Sequence, residues 1–209
     1  MKFEHYLKKM QESPEYKKFR KKYKDEYLCA GFFILDFESG QHMHQVDYAL
    51  PDGKVATFIL DKGVKLKISE QALKKKLPEI KPQANIDLEA LRGIIEDEMK
   101  NQMVTEKIRK VIAILHDLDG KLIWNLQCIL SGLEILIVHI DDSDKSILKF
   151  EKHSLMELLK PGTGALQLIP KEGKKKISIK DIKQLEELIK KAKKEAEGKA
   201  EKEAEKKKK

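Results

Sequence analysis

The strongest constraint on this chain is that it resembles itself at a shift of 80 residues. Slid by that interval, Ile34-Leu35 meets Ile114-Leu115 and Gly40 meets Gly120. Leu50 meets Leu130, Asp61 meets Asp141, and Glu26 meets Glu106. A fixed internal period is the mark of a repeated structural unit. The segment types agree in order as well. Each piece has a helical pattern, a very apolar run, a turn, an alternating run and a second turn. Another apolar run and a fourth strand leading into a short helix complete it.

The first helix is signalled by Ser13-Pro14-Glu15, since Ser is a good N-cap and Pro suits the first helical position. Tyr16, Phe19 and Tyr23 then fall on one face, at spacings of three and four. Phe3, Tyr6, Leu7 and Met10 give a shorter helical piece before the Ser-Pro break. In the second piece Asp87 reads as the cap, and Leu88, Leu91, Ile94/Ile95, Met99 and Met103 form the stripe. Tyr27–Phe37 and Ile108–Leu115 are apolar enough for strands covered on both faces. Glu38-Ser39-Gly40, Pro51-Asp52-Gly53, Asp117-Leu118-Asp119-Gly120 and Ser131-Gly132 are turn signals. Val55–Leu60 and Leu133–Ile140 are third strands. Val64–Ile68 and Ile147–Phe150 are fourth strands, with short helices at about Glu70–Leu77 and Ser154–Leu159.

The expected fold class is therefore α+β, an internally duplicated helix plus four-stranded antiparallel meander. The units span 1–80 and 81–160, with Pro78 and Pro82 at the boundary. They are expected to pack on each other, because doubly covered strands need a second layer; whether they share one sheet is open. A linker with a possible strand over Ala165–Ile169 fills 161–177. A capping-box sequence, Ser178-Ile179-Lys180-Asp181, then opens an amphipathic helix with Ile182, Leu185, Leu188 and Ile189 on its stripe. Residues 178–209 form that helix and a Lys/Glu-rich tail, read as a solvated extension or a disordered segment.

A helix followed by a four-stranded antiparallel meander resembles cystatin-like and monellin-like domains. The order helix, three strands, helix also resembles double-stranded-RNA-binding domains and small secretion-chaperone domains. For the RNA domain a lysine-rich start to the helix after the third strand is expected. Ile68-Ser69-Glu70-Gln71-Ala72 departs from that, and a fourth strand intervenes. These are likenesses of topology, which carries function poorly.

The net charge of +8 lies at the ends. Residues 1–28 carry nine Lys/Arg against five Asp/Glu, and 190–209 carry ten Lys against five Glu. The body between them is close to neutral. Only Arg20, Arg92 and Arg109 are arginines, which argues against base-specific DNA recognition. Lys17, Lys18, Lys21 and Lys22 are the candidates for weak, salt-sensitive contact with RNA or another polyanion. No long apolar stretch follows Met1-Lys2-Phe3-Glu4-His5, so no secretory leader is expected, and no run reaches the about 20 apolar residues of a membrane span. Cys29 and Cys128 sit in strand-like segments and read as buried free thiols of a cytosolic protein.

The repeat also exposes a difference. Leu122, Trp124, Leu126, Cys128 and Leu130 line one face of the second unit's alternating strand. The first unit has His42, His44, Val46, Tyr48 and Leu50 there. Histidines two apart on a strand point the same way, a geometry that suits a metal. His116, His139, Asp36 and Glu38 are the possible third ligands. His116-Asp117 is better explained as turn chemistry than as a catalytic pair. Pro161-Gly162-Thr163-Gly164 lacks the lysine of a phosphate loop.

The chain thus reads as a non-enzymatic cytosolic binding, adaptor or chaperone-like protein without a cofactor. Its expected surface for a protein or peptide is the edge strand Val64, Leu66, Ile68 and the late helix Ile182, Leu185, Leu188, Ile189. Two alternatives stand beside it. One is an RNA- or ribosome-associated accessory protein using the lysine-rich termini. The other is a metal-dependent enzyme at His42/His44.

Overall fold

The structure, a computed structural model, describes residues 2–73, 75–132 and 134–154, all within the unit Met1–Ile169. Two short helices open the chain, α1 (Phe3–Gln11) and α2 (Pro14–Lys22). Ser13 divides them. Its Oγ accepts the Tyr16 N–H at 3.1 Å and donates to the Met10 carbonyl at 2.6 Å, capping one helix and closing the other. As their spacing predicts, Phe3, Tyr6, Leu7 and Met10 of α1 and Phe19 of α2 are buried, with Tyr16 and Tyr23 packed beside them.

Strands β1 (Tyr27–Asp36), β2 (Met43–Ala49), β3 (Val55–Ile59) and β4 (Lys65–Ile68) follow. After α3 (Leu88–Asn101) come β5 (Ile108–Leu118), β6 (Lys121–Leu130), β7 (Glu134–Asp141) and β8 (Ile147–Ser154). All eight belong to one antiparallel sheet in the order β4-β3-β2-β1-β5-β6-β7-β8. Two quartets of consecutive strands thus meet edge to edge, where Phe32 pairs with Ile114 and Ile34 with Ile112. The question of whether the two pieces share one sheet is settled by this pairing, since their strands form a single sheet and not two stacked layers. Pairing β1 with β5 removes the two longest open edges and leaves four-residue β4 at one rim.

The turns follow their chemistry. Asp119 and Gly120 both have positive φ, 54° and 83°, as the tight β5–β6 hairpin requires. Asp117 Oδ1 accepts the Gly120 N–H at 3.0 Å, so His116-Asp117 is occupied with its turn.

The helices share the core with one side of the sheet. Phe33, Leu35, Val46, Tyr48, Phe58, Val111, Ala113, Leu115, Trp124, Leu126 and Val138 belong to it, alternating with residues that do not. Gly31 makes the closest approach possible. A Cβ there would lie 2.9 Å from the buried Phe3 ring and 2.9 Å from that of Phe33.

Two further expectations are corrected. No helix forms over Glu70–Leu77 among the described residues. The Ser69 and Leu73 N–H groups donate instead to the Val55 and Gly53 carbonyls, tying the segment to β3 and its turn. Met103 does not join the α3 stripe. The helix stops at Asn101, and Met103 takes φ 55° and stands 88% exposed. The Met103 and Val104 N–H groups donate to the Lys100 and Met99 carbonyls, closing the helix as in a Schellman motif. Asp87 occupies the N-cap position, but its side chain makes no capping bond. The expected short helix past Ser154, the linker 161–177 and the late helix with Ile182, Leu185, Leu188 and Ile189 lie outside the described residues.

Candidate functional site

The helices cover one side of the sheet, and several apolar residues of the other side are partly exposed. Phe32, Ile34, Ile112 and Ile114 lie there, across the seam between the quartets, and all four are partly exposed. Ile129 pairs with Ile135 further along the same side, both again partly exposed. Gln45, Asp47, Asn125 and Gln127 border the seam on the neighbouring strands. Ile123 and Ile137 are on this side too, and they are buried. The long apolar runs expected to be doubly covered strands thus have, among the described residues, helices over one side alone. The sequence signal is present in those runs, but it indicates two apolar faces without saying which is a surface.

The edge-strand candidates divide. Leu66 and Ile68 project toward the core side; Leu66 packs against the core, and Ile68 is 38% exposed at the rim. Val64 is likewise packed against the core. Lys65 and Lys67 point the other way and are exposed, the usual way to blunt an edge.

His42 and His44 do come together, with ring centroids 6.4 Å apart. They do not converge on a common point with further ligands. The His42 Nδ1 accepts the Asp36 N–H at 3.2 Å, which uses that lone pair. The His44 backbone N–H and ring Nδ1 both face Asp61 Oδ1, at 2.9 and 3.2 Å, and the ring stacks on Tyr6 at 4.7 Å. Burial lowers the His44 pKa from its ordinary value, against the pull of Asp61. Three of the four possible third ligands, Asp36, Glu38 and His116, are committed elsewhere. Although burial opposes it, the Ser39 and Glu38 N–H groups and Lys110 hold the Asp36 carboxyl well below the usual range. Glu38 accepts from Arg109 Nε at 2.6 Å, and the His116 Nδ1 lies 3.0 Å from the Asp117 carbonyl. Among the described residues no group of three or more His, Cys, Asp or Glu side chains could hold a metal.

Cys29 and Cys128 are free and buried. Burial pushes both thiols up, Cys128 to about 12, so neither is an activated nucleophile. An open cleft of about 550 Å³ lies beside Tyr27, between Pro51–Lys54 and the residues Leu73, Lys75, Lys76 and Leu77. Its polar groups already serve one another. The Tyr27 hydroxyl donates to the Leu77 carbonyl at 2.9 Å, and Lys54 pairs with Asp52 at 3.4 Å.

Sequence reasoning missed Asp142. This carboxylate is 2% exposed and accepts the Asn85 N–H at 2.7 Å, the Ile86 N–H at 3.0 Å and the Trp124 indole N–H at 2.9 Å. The signal that could have found it is Trp124, since a buried indole N–H needs an acceptor.

On α2, Lys17, Lys18, Lys21 and Lys22 are exposed while Phe19 points into the core. No described helix is long and apolar enough to cross a membrane.

No family model matches the chain. No curated protein matches it either. Among solved structures it is similar to a "putative lipoprotein" from Clostridium difficile 630, at 14% identity and a TM-score of 0.46 over 66% of this chain and 89% of that one.

Proposed function

We propose that this chain is a non-enzymatic binding protein that holds a protein or peptide partner on the open side of its sheet. The observation that carries this reading is the contiguous apolar seam Phe32, Ile34, Ile112 and Ile114, partly exposed on strands that lie at the centre of the sheet. Scattered exposed apolar residues are ordinary, but a contiguous patch rimmed by polar side chains is the pattern of an interaction surface. Polar side chains on the neighbouring strands here are Gln45, Asp47, Asn125 and Gln127, while Met43 extends the apolar patch opposite Ile34. In the same reading the quartets descend from one duplicated unit. Gly40 and Gly120, related by the 80-residue shift, both take positive φ in the turn after the first strand of their quartet. The two buried free thiols favour a cytosolic setting.

The test is affinity capture from nuclease-treated lysate, comparing the full chain with its Phe32→Gln/Ile114→Lys variant. Circular dichroism checks that the variant keeps its fold. At least one protein should be captured by the parent chain and lost tenfold or more by the variant. Identical protein profiles for the two baits would remove the reading.

A further inference from the structure

Helix α2 carries five basic residues and one acidic residue in nine, PEYKKFRKK. An ordinary solvated helix face mixes its charges so that they compensate at i,i+3 and i,i+4. The other sheet-packed helix of comparable role does this. On α3, Arg92 pairs with Glu96 at 2.7 Å and Lys100 with Asp97 at 2.8 Å. On α2 the same spacings bring like charges together, Lys17 with Lys21 and Lys18 with Lys22. Such pairs destabilise an isolated helix. The helix dipole favours Lys21 and Lys22 in the last turn but does nothing for Lys17 and Lys18.

Among the described residues none of these four lysines makes an ion pair. Lys22 lies over the Tyr23 ring at 5.2 Å. The helix's own Arg20 is spent, because it pairs with the buried carboxylate of Glu26. What remains outward is therefore four flexible lysine ammoniums and no arginine fork. Residues 1–80 hold sixteen Lys/Arg against twelve Asp/Glu, and residues 81–160 hold eleven against fourteen. The excess of residues 1–80 is the helix's own, since outside α2 they hold eleven Lys/Arg against eleven Asp/Glu.

We infer that the outward face of α2 is a docking surface for the phosphate backbone of a nucleic acid, bound without regard to base sequence. The chemistry selects that ligand. Lysines act as point charges, which suit evenly spaced phosphates and read no base. The aromatic residues of α2 are turned into the core, so they offer no stacking platform. A membrane surface would want an exposed apolar stripe beside the lysines. The apolar stripe of α2 is its buried side.

The experiment uses the full chain and a fluorescent DNA duplex of arbitrary sequence, about 20 base pairs long, titrated from about 50 to 200 mM salt. The variant Lys17→Gln/Lys18→Gln/Lys21→Gln/Lys22→Gln should bind at least tenfold more weakly at the low-salt end. Its log–log salt dependence should be shallower by about 2–3.5, at about 0.9 for each phosphate no longer neutralised. The comparison variant removes the same charge from the tail, Lys206, Lys207, Lys208 and Lys209 each to Gln. It should lose less than threefold. Equal losses in the two variants would show a general charge effect and overturn the assignment to α2. So would the absence of duplex binding by the parent chain, or binding to phosphatidylserine vesicles in place of the duplex.

Discussion

The two quartets of the sheet have the same strand order and put the same side toward the core, yet they fill and fasten that core differently. Strands β1–β4 are covered by aromatic side chains. Phe19, Tyr48 and Phe58 are buried together, with ring centroids 5.1–5.9 Å apart, and Tyr16 and Tyr23 pack at their margin. Strands β5–β8 are covered by aliphatic ones. Leu88, Leu91, Ile95 and Met99 of α3 are buried, and Trp124 is the one large buried ring among the described residues of that quartet. The carboxylate fastenings differ too. In the first quartet Asp61 holds the start of β2 from an exposed position. In the second a buried carboxylate, Asp142, reaches across to the segment before α3. One strand plan thus tolerates two core chemistries, because a sheet side demands only apolar volume at alternate positions. What it does not tolerate is an unpaired backbone group beneath that volume.

The largest expected effect comes from removing the buried fastening. Asp142→Ala leaves the Ile86 N–H and the Trp124 indole N–H without an acceptor in a site that is 2% exposed. An orphaned buried donor costs about 1–3 kcal/mol, so the loss should be about 3–4 kcal/mol in urea unfolding. Asp142→Asn keeps one acceptor oxygen and should lose about half of that. Asp61 is the first quartet's nearest counterpart, and its carboxylate accepts the His44 N–H at 2.9 Å. Asp61→Ala should cost no more than about 1 kcal/mol, because water can replace the lost acceptor. Equal losses at Asp61 and Asp142 would break the contrast between exposed and buried fastening.

Local signals carry most of the elements and little of their assembly. The Ser13-Pro14 cap, the α1 and α2 stripes and the strand-turn order are legible because each depends on residues a few positions apart. The pairing of β1 with β5 joins residues about 80 apart, and no periodicity encodes it. The same limit hides the open side. Ile112 and Ile114 read as buried from composition, since a run of apolar residues shows two apolar faces without saying what covers each. At Glu70–Leu77 an apolar-lysine pattern looks helical. The backbone hydrogen bonds to Gly53 and Val55 override it, a tertiary choice that local propensity does not contain. For the candidate site, strand alternation puts His42 and His44 near each other, as the structure does. Their commitments to Asp36 and Asp61 depend on turns whose geometry the residue order leaves open.

A smaller effect tests how α1 fits the first quartet. Gly31 corresponds to Val111 under the 80-residue shift. The first quartet needs the glycine because the Phe3 ring lies against it. Both Phe3 and Phe33 are essentially closed to solvent, so neither ring has free space to retreat into. Gly31→Ala should therefore cost about 1–3 kcal/mol as overpacking, although alanine suits a strand better than glycine does. The double variant Gly31→Ala/Phe3→Leu should recover part of that loss, measured as a positive coupling in a double-mutant cycle. A neutral Gly31→Ala would mean that α1 can shift over β1, and the two quartets would then differ less than their packing indicates.

The smallest expected effect is a slope with pH, and it separates the two histidines by cause. His44 in the first quartet and His139 in the second both have pKa values lowered from 6.5 by burial. Asp61 opposes the shift at His44. Lys149 and His116 add to it at His139, with Glu151 opposing. A histidine lowered in the folded state binds fewer protons there than in the unfolded chain. Stability therefore rises with pH between the folded pKa and 6.5, is complete above 6.5, and is lost on acidification through that window. Carboxylates such as Glu106 act further down. Hydrogen bonding from Lys152 holds Glu106 at about 2, so its contribution is present above the ordinary 4.5 and is lost as pH falls toward 2. Titration of the imidazole resonances by NMR resolves the two histidines. Asp61→Asn should lower the His44 pKa further and steepen the stability slope below pH 6.5, while leaving His139 unmoved. A His44 that titrates above 6.5 in the parent protein would mean that Asp61 outweighs burial, and stability would then fall as pH rises from 6.5 to that value.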